Sequence, residues 1–335
     1  MILLAVLVGG VVVAGRSGIL PRHDASWIVR RAQEQSERHS FSASGQTRFS
    51  CQGRLLPSDV KFTHMRPNRC RIEYLSGPMK GVLIGNDGKN SWRFDPRTGR
   101  LVISGNRSCG RPADRLHLLL ENHNVSLEGK TRVAGREAYR LVVRPKSSRQ
   151  VRKRMWMDTR TFVILRHEDY DSHGRLQSST RFNRILFAKS FPDKLFQPPT
   201  GPSIKVAKRA FDSVESLDRL AKEVGFAVRV PGYVPAGYKL DGYRIHDCPC
   251  DCPHRSAYIR YSDGLSSISI FESKAGSGCQ SKAGCGTSEG SKRACEPKRS
   301  DRGEVVSFEN KGISYVIVAD VDSRELTKIR ESLLD

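Results

Sequence analysis

The sequence predicts an α+β protein: an antiparallel meander or barrel, followed by a smaller module that mixes helices with strands. Three observations carry this. Short runs rich in aromatic and β-branched residues recur between residues 41 and 185, separated by turn-forming Asp, Asn, Gly and Pro. Phe191–Ser203 holds Pro192, Pro198, Pro199 and Pro202, a composition suited to a linker. Beyond it, helical patterns with capping residues bracket a second set of strand-like runs.

The clearest local signal is Lys153–Tyr170, two strand-like runs joined by Asp158-Thr159-Arg160-Thr161. Asp and Thr bond neighbouring backbone groups, so this reads as a hairpin. Asp171-Ser172-His173-Gly174 supplies the next turn, and a third strand runs through Ser178–Ile185. Upstream, Ser26–Glu37 reads as an amphipathic helix capped by Asp24 or Ser26. Strands follow at Phe41–Gln52, Val60–Arg66, Cys70–Leu75, Gly81–Ile84, Ser91–Phe94 and Arg100–Ser104. A Leu-rich helix over Ala113–Asn122 interrupts them, and they resume at Val125–Val133 and Ala138–Arg144. In the second module a helix is expected over Ser213–Val224, with Asp212 and Glu215 as a capping box. Strands are expected at Ala227–Val230, Tyr238–Ile245, Ser256–Tyr261, Ser266–Glu272, Val305–Asn310 and Ser314–Ala319. Gly276–Gly303 reads as a long loop, and Asp322–Leu333 as a closing helix with Leu326, Ile329 and Leu333 inward.

Composition narrows the function. With 335 residues the chain is long enough for two cores, and 38% apolar with 27% charged content is globular. Lys and Arg exceed Asp and Glu by 57 to 35, which favours anionic partners such as lipid head groups. The basic residues are scattered through the strands without a nucleic-acid-binding motif, so no nucleic acid is expected. Residues 2–14 form a 13-residue uncharged apolar run, the length of a signal-peptide core and short of the ~20 residues of a spanning helix. It lacks a basic segment before it and a small-residue cleavage site after it, so residues 1–20 read as a signal peptide or an amino-terminal anchor.

Nine cysteines fit an oxidising compartment. The densest group is His246-Asp247-Cys248-Pro249-Cys250-Asp251-Cys252-Pro253-His254. Alternate residues of an extended chain share a face, so Cys248, Cys250, Cys252 and His254 could hold Zn or Cu. The alternative is that these thiols pair with Cys279, Cys285 and Cys295 as disulfides that staple a small module. Cys51 and Cys70 flank a strand-turn-strand unit and are candidates to pair, with two buried free thiols as the other reading, and Cys109 is the candidate odd thiol. Catalytic signatures are missing: there is no nucleophile elbow, no H-E-x-x-H and no phosphate loop. His117 and His123 read as surface or core histidines, and Asp158, Asp169 and Asp171 as turn residues. The reading is not an enzyme.

Arg66-Pro67-Asn68-Arg69-Cys70-Arg71-Ile72-Glu73-Tyr74, then Asp87-Gly88-Lys89, Trp92 and Asp95-Pro96, resemble the LolA/LolB lipoprotein-carrier superfamily. Val133-Ala134-Gly135-Arg136-Glu137-Ala138-Tyr139, Trp156-Met157-Asp158-Thr159 and Arg166–Tyr170 resemble its MucB/RseB branch more specifically. Val234–Tyr238 and Tyr261–Phe271 resemble the small domain of the same sigma-E regulatory proteins. The resemblance implies an incomplete, curved antiparallel barrel with a helical lid over residues 25–195, a linker at 196–211 and a smaller α/β domain at 212–335; the Cys-rich segments 246–254 and 279–295 depart from that pattern and read as an insertion. It implies a periplasmic regulator that binds the periplasmic domain of an anti-sigma factor and senses lipid, lipopolysaccharide or lipoprotein acyl chains in an apolar cleft, with a homo-oligomer as a further expectation. Arg66 occupies the place of the arginine that helps hold the carrier lid, and Trp92, Phe94 and Trp156 are the expected lining residues. The rival readings are a lipoprotein carrier without regulatory function and a metal- or redox-responsive Cys-rich module.

Overall fold

The computed structural model describes residues 24–35, 38–51, 53–105, 116–209, 211–247, 255–276, 298–300 and 303–334. The chain opens with helix α1, Ala25–Gln35, close to the expected bounds. Asp24 caps it, accepting the Ser26 amide on its side chain at 3.4 Å and the Ile28 amide on its carbonyl at 3.1 Å. Ala25, Ile28, Val29 and Ala32 recur at the spacing that puts them on one face, and all four are buried.

Six strands follow: β1 (Ser40–Cys51), β2 (Arg54–Met65), β3 (Arg69–Tyr74), β4 (Leu83–Asn86), β5 (Asn90–Asp95) and β6 (Arg100–Gly105). Helix α2, Leu116–Asn122, leads into β7 (His123–Val133), β8 (Arg136–Pro145), β9 (Lys153–Asp158), β10 (Ile164–Tyr170) and β11 (Leu176–Ala188). Every neighbouring pair in this meander is antiparallel, and β1 closes against β11 across most of its length. The sheet runs β6-β5-β4-β3-β2-β1-β11-β10-β9-β8-β7, so β7 ends one edge and the barrel stays open. It is strongly rolled. Val133, at the end of β7, shares a core with Ile185 of β11 and Phe41 of β1, although three strands separate it from the first and four from the second in the sheet. The buried face of α1 covers Tyr139, Leu141 and Val143 of β8 with Met155 and Met157 of β9.

The β9–β10 hairpin is built as its sequence indicates. Asp158 Oδ1 accepts from the Arg160 amide at 3.0 Å, the Thr161 amide at 2.8 Å and the Thr161 hydroxyl at 3.0 Å. Asp171 does the same in the next turn for the amides of His173 and Arg175. Asp169 differs from its expected turn position: it lies within β10 and binds Lys153 and the Ser178 hydroxyl across the strands.

The Pro-rich stretch is not a free linker. Phe191 donates its amide to Met65 Sδ at 3.2 Å, Asp193 pairs with Arg69 at 2.5 Å, and the Leu195 carbonyl accepts from Arg71 at 3.1 Å. Trp92 Nε1 donates to the Phe196 carbonyl at 2.9 Å, and Phe196 is fully buried. The strand after this strap, β12 (Lys205–Arg209), joins the large sheet beside β6, and it is parallel. Trp92 is the anchor. It lies flat under Gly85, where an added Cβ would meet its ring at 2.3 Å, so β4 needs glycine there. Trp92→Phe deletes the buried bond and should cost about 2 kcal/mol, read as a lowered urea midpoint with faster proteolytic cutting near residue 195. An unchanged midpoint would show that the strap is held elsewhere.

A second sheet follows: β13 (Phe211–Val214), β14 (Lys239–Asp247), β15 (Arg255–Ser262), β16 (Ser267–Lys274), β17 (Lys298–Ser300), β18 (Gly303–Asn310) and β19 (Ile313–Ala319). Helices α3 (Leu217–Val224) and α4 (Ser323–Glu331) pack on it through Leu220, Leu326 and Ile329, and Leu333 follows as expected. Asp322 caps α4, accepting the Glu325 amide at 2.9 Å. Three expectations need correction. The helix begins at Leu217, because residues 211–214 pair with β14 as a strand. Its cap is Ser216, accepting from the Arg219 amide at 3.2 Å, in place of the Asp212–Glu215 box. Ala227–Val230 is irregular backbone whose Arg229 amide is taken by the Glu272 carboxylate at 3.1 Å; Val228 packs in the core while Val230 stays exposed.

Candidate functional site

Strand register decides what each face of the large sheet offers. Ala43, Phe62, Ile72, Ile84, Arg93 and Val102 stand directly opposite one another from β1 to β6 and therefore share a face. Phe62, Ile72, Ile84 and Val102 are only half-buried, and Arg93 is exposed among them. At about 4.8 Å per strand the row from β2 to β6 extends roughly 19 Å, comparable to an extended acyl chain. Its floor is apolar, with Val60, Tyr74 and Val82 buried beside it. Aromatic contacts lead from the row into the rolled end: Phe41 to Phe62 at 5.6 Å and Phe62 to Phe182 at 6.0 Å. Trp156, Leu165 and Ile185 complete that end.

The expected lining residues are not brought together. Trp92 and Phe94 lie on the opposite face from this row, and Trp92 is 2% exposed beneath the strap. Phe94 is half-buried between Leu83 and Leu101. Trp156 belongs to the rolled end and is covered by the Arg166 guanidinium at 4.2 Å. Arg66 is exposed, with its amide on the Ser40 hydroxyl at 3.2 Å. The half-buried row itself was hidden in the sequence. Alternation locates the strands, but which face stays open depends on the strap at 191–197, and its apolar Phe191, Leu195 and Phe196 were the available signal.

The two sheets meet in a polar clasp. Arg152, 9% exposed at its side chain, binds the Asp320 carboxylate and also the Ser266 hydroxyl at 3.0 Å. Asp320 accepts the Ser172 amide at 3.1 Å. Asn122 donates to the carbonyls of Gly237 at 2.9 Å and Asp263 at 3.1 Å. His123 faces the Asp263 carboxylate at 3.6 Å, and burial holds its proton affinity below the ordinary value despite that carboxylate. Gly264 has φ +94, and a Cβ there would sit 2.2 Å from the Leu119 amide, so only glycine allows this approach. These contacts place the second sheet against α2 and β7.

Cys248, Cys250, Cys252, His254, Cys279, Cys285 and Cys295 lie outside the described residues, as do Cys109 and residues 1–20. Cys51 is an exposed free thiol while the buried Cys70 is disulfide-bonded, so the two do not pair with each other. Among the described residues no helix is long and apolar enough to cross a membrane.

Residues 60–200 match the family model of the MucB/RseB N-terminal domain. That match takes in most of the large sheet, from within β2 to the strap. The motifs at 66–74, 133–139 and 156–170 thus fall inside the matched region. The likeness in fold continues through the second sheet. A crystal structure of MucB in complex with MucA(peri) aligns with TM-score 0.58 at 19% identity, over 91% of this chain and 97% of that one. The MucA/MucB complex of Pseudomonas aeruginosa aligns with TM-score 0.59 at 19% identity, over 91% and 96%. In sequence, the uncharacterized protein MJ0687 of Methanocaldococcus jannaschii is 24% identical over 347 residues, covering 100% of this chain and 98% of that protein.

Proposed function

We propose that this chain is a non-enzymatic periplasmic regulator of the MucB/RseB type, which binds the periplasmic segment of an anti-sigma factor. The observation that carries this reading is the fold likeness to MucB structures solved with MucA, which spans both sheets of this chain. A carrier would need only the large sheet. Here the second sheet is fixed to it by the Arg152–Asp320 clasp, as a shared partner surface requires. In this reading the half-buried row of Phe62, Ile72, Ile84 and Val102 takes acyl chains of a lipid, lipopolysaccharide or mislocalised lipoprotein, and its occupancy alters the grip on the partner.

Isothermal titration of the whole chain with the periplasmic segment of the anti-sigma factor from the same genome should give a saturable one-to-one complex. A scrambled peptide of equal charge controls for the net +22. Equal heats from both would remove the regulator reading. Uptake of a fluorescent fatty acid without partner binding would leave the carrier alternative in its place.

A further inference from the structure

The turns at one end of the large sheet frame a half-open cavity of about 400 Å³ lined by Arg132, Gly135, Arg136, Glu137, Asp158, Thr159 and Arg160. We propose that this cavity is a phosphate-binding seat, in which Arg136 is the fixed donor and Arg132 and Arg160 close on the anion. The argument starts from Asp158, which is 1% exposed. Its Oδ1 is occupied by the hairpin amides and Thr161 hydroxyl already described, and by Arg136 Nη2 at 3.3 Å. Its Oδ2 takes Arg136 Nε. Burial pushes the Asp158 carboxyl up, but the donors from Arg136, Thr161 and Arg160 outweigh it and hold the group below the ordinary carboxylate range. Asp158 therefore stays charged and fully bonded, and it orients Arg136 without competing for a ligand. The Arg136 guanidinium also stacks 4.8 Å over the Phe187 ring, which fixes it from a second side.

The other acid is committed too. Glu137 pairs with Lys130 at 3.1 Å. Arg132 and Arg160 are exposed, and among the described residues neither guanidinium has a hydrogen-bond or ion-pair partner. Arg160, and Arg132 with only the Glu137 carboxylate it shares with Lys130, beside a preoriented third cation suit a dianion better than a monoanion. Arginine forks also match the tetrahedral oxygens of phosphate. The seat adjoins the rolled apolar end, because Phe187 touches Phe41 at 5.9 Å and Phe41 touches Phe62. A free phosphate and a phospholipid head group would use the same arginines, and only the second would also reach the half-buried row. That extension to acyl chains rests on the lipid-sensing reading; the phosphate seat does not.

The test uses the whole chain without any partner. Amide NMR titrations are run with inorganic phosphate and with a soluble short-chain phosphatidate, on the natural protein and on R132A/R160A. Phosphate should shift the Gly135, Arg136 and Thr159 amides, and the double variant should bind about tenfold more weakly or worse. Both replaced side chains are exposed, so an unchanged amide spectrum elsewhere confirms that the variant is folded. Phosphatidate binding at least about tenfold tighter than phosphate would identify a lipid head group as the source. Equal affinities would identify free phosphate. Absence of shifts at these amides, or shifts that R132A/R160A leaves intact, would overturn the seat. Because no partner is present, a protein that binds phosphate but fails to bind the anti-sigma segment would contradict only the proposed function.

Discussion

Asp320→Ala should be the most destabilising single change in the inter-sheet clasp, at about 2–4 kcal/mol. The variant strands the Arg152 guanidinium, which is 9% exposed and keeps only the Ser266 hydroxyl and a backbone carbonyl. Asp320 is itself 27% exposed, so water screens part of the pair and the upper end of that range is a ceiling. Its second task is also lost, since the Ser172 amide has no other acceptor in this contact. The measurement is a urea melt of the natural chain, D320A, R152A and the double variant. Removing both partners should restore part of the loss, because the stranded charge is then gone. Strict additivity of the two single effects would show that the clasp is not a coupled pair.

Glu272→Gln should do the opposite and stabilise the protein, with a pH dependence that identifies the cause. Glu272 is fully buried in the core of the second sheet, its Oε1 has no partner, and its carboxyl is pushed up to about 7 by burial. The sign follows from proton counting. Between the ordinary value of 4.5 and about 7, the folded chain keeps a proton that the unfolded chain has released. Stability therefore falls as pH rises through that window and levels off above it. The deficit above the window is about 3 kcal/mol. Glutamine resembles the protonated acid and still accepts the Arg229 amide, so it escapes this loss. Urea midpoints of the natural protein and E272Q should nearly coincide at pH 4 and diverge by pH 8, with the variant higher. A gain that is the same at both pH values would assign the effect to packing instead.

Much of the fold was legible because it is local. The strands of the meander, the Asp158 and Asp171 turns and the Asp322 cap are each dictated by neighbours within a few residues. What escaped was decided at long range. Residues 211–214 left the expected helix because β14 offered them a ladder, and Ala227–Val230 lost its strand because Glu272 claimed its backbone. The candidate site escaped for a related reason. Trp92 and Phe94 have the composition of lining residues, but one register step turns both to the other face, with Trp92 opposite Gly85 under the strap and Phe94 opposite Leu83. Pro192, Pro198, Pro199 and Pro202 mark a break in regular structure, and proline alone does not distinguish a free linker from one pinned to a sheet.

The most direct test of the regulator account is release. The complex with the periplasmic anti-sigma segment is formed first, and an anionic single-chain amphiphile is then titrated in while partner binding is followed by fluorescence anisotropy. The account predicts that the amphiphile dissociates the segment and that I72D or I84D, which place a carboxylate in the half-buried row, still bind the segment but no longer respond. A complex that persists at saturating amphiphile, with the amphiphile shown to be bound, would contradict it.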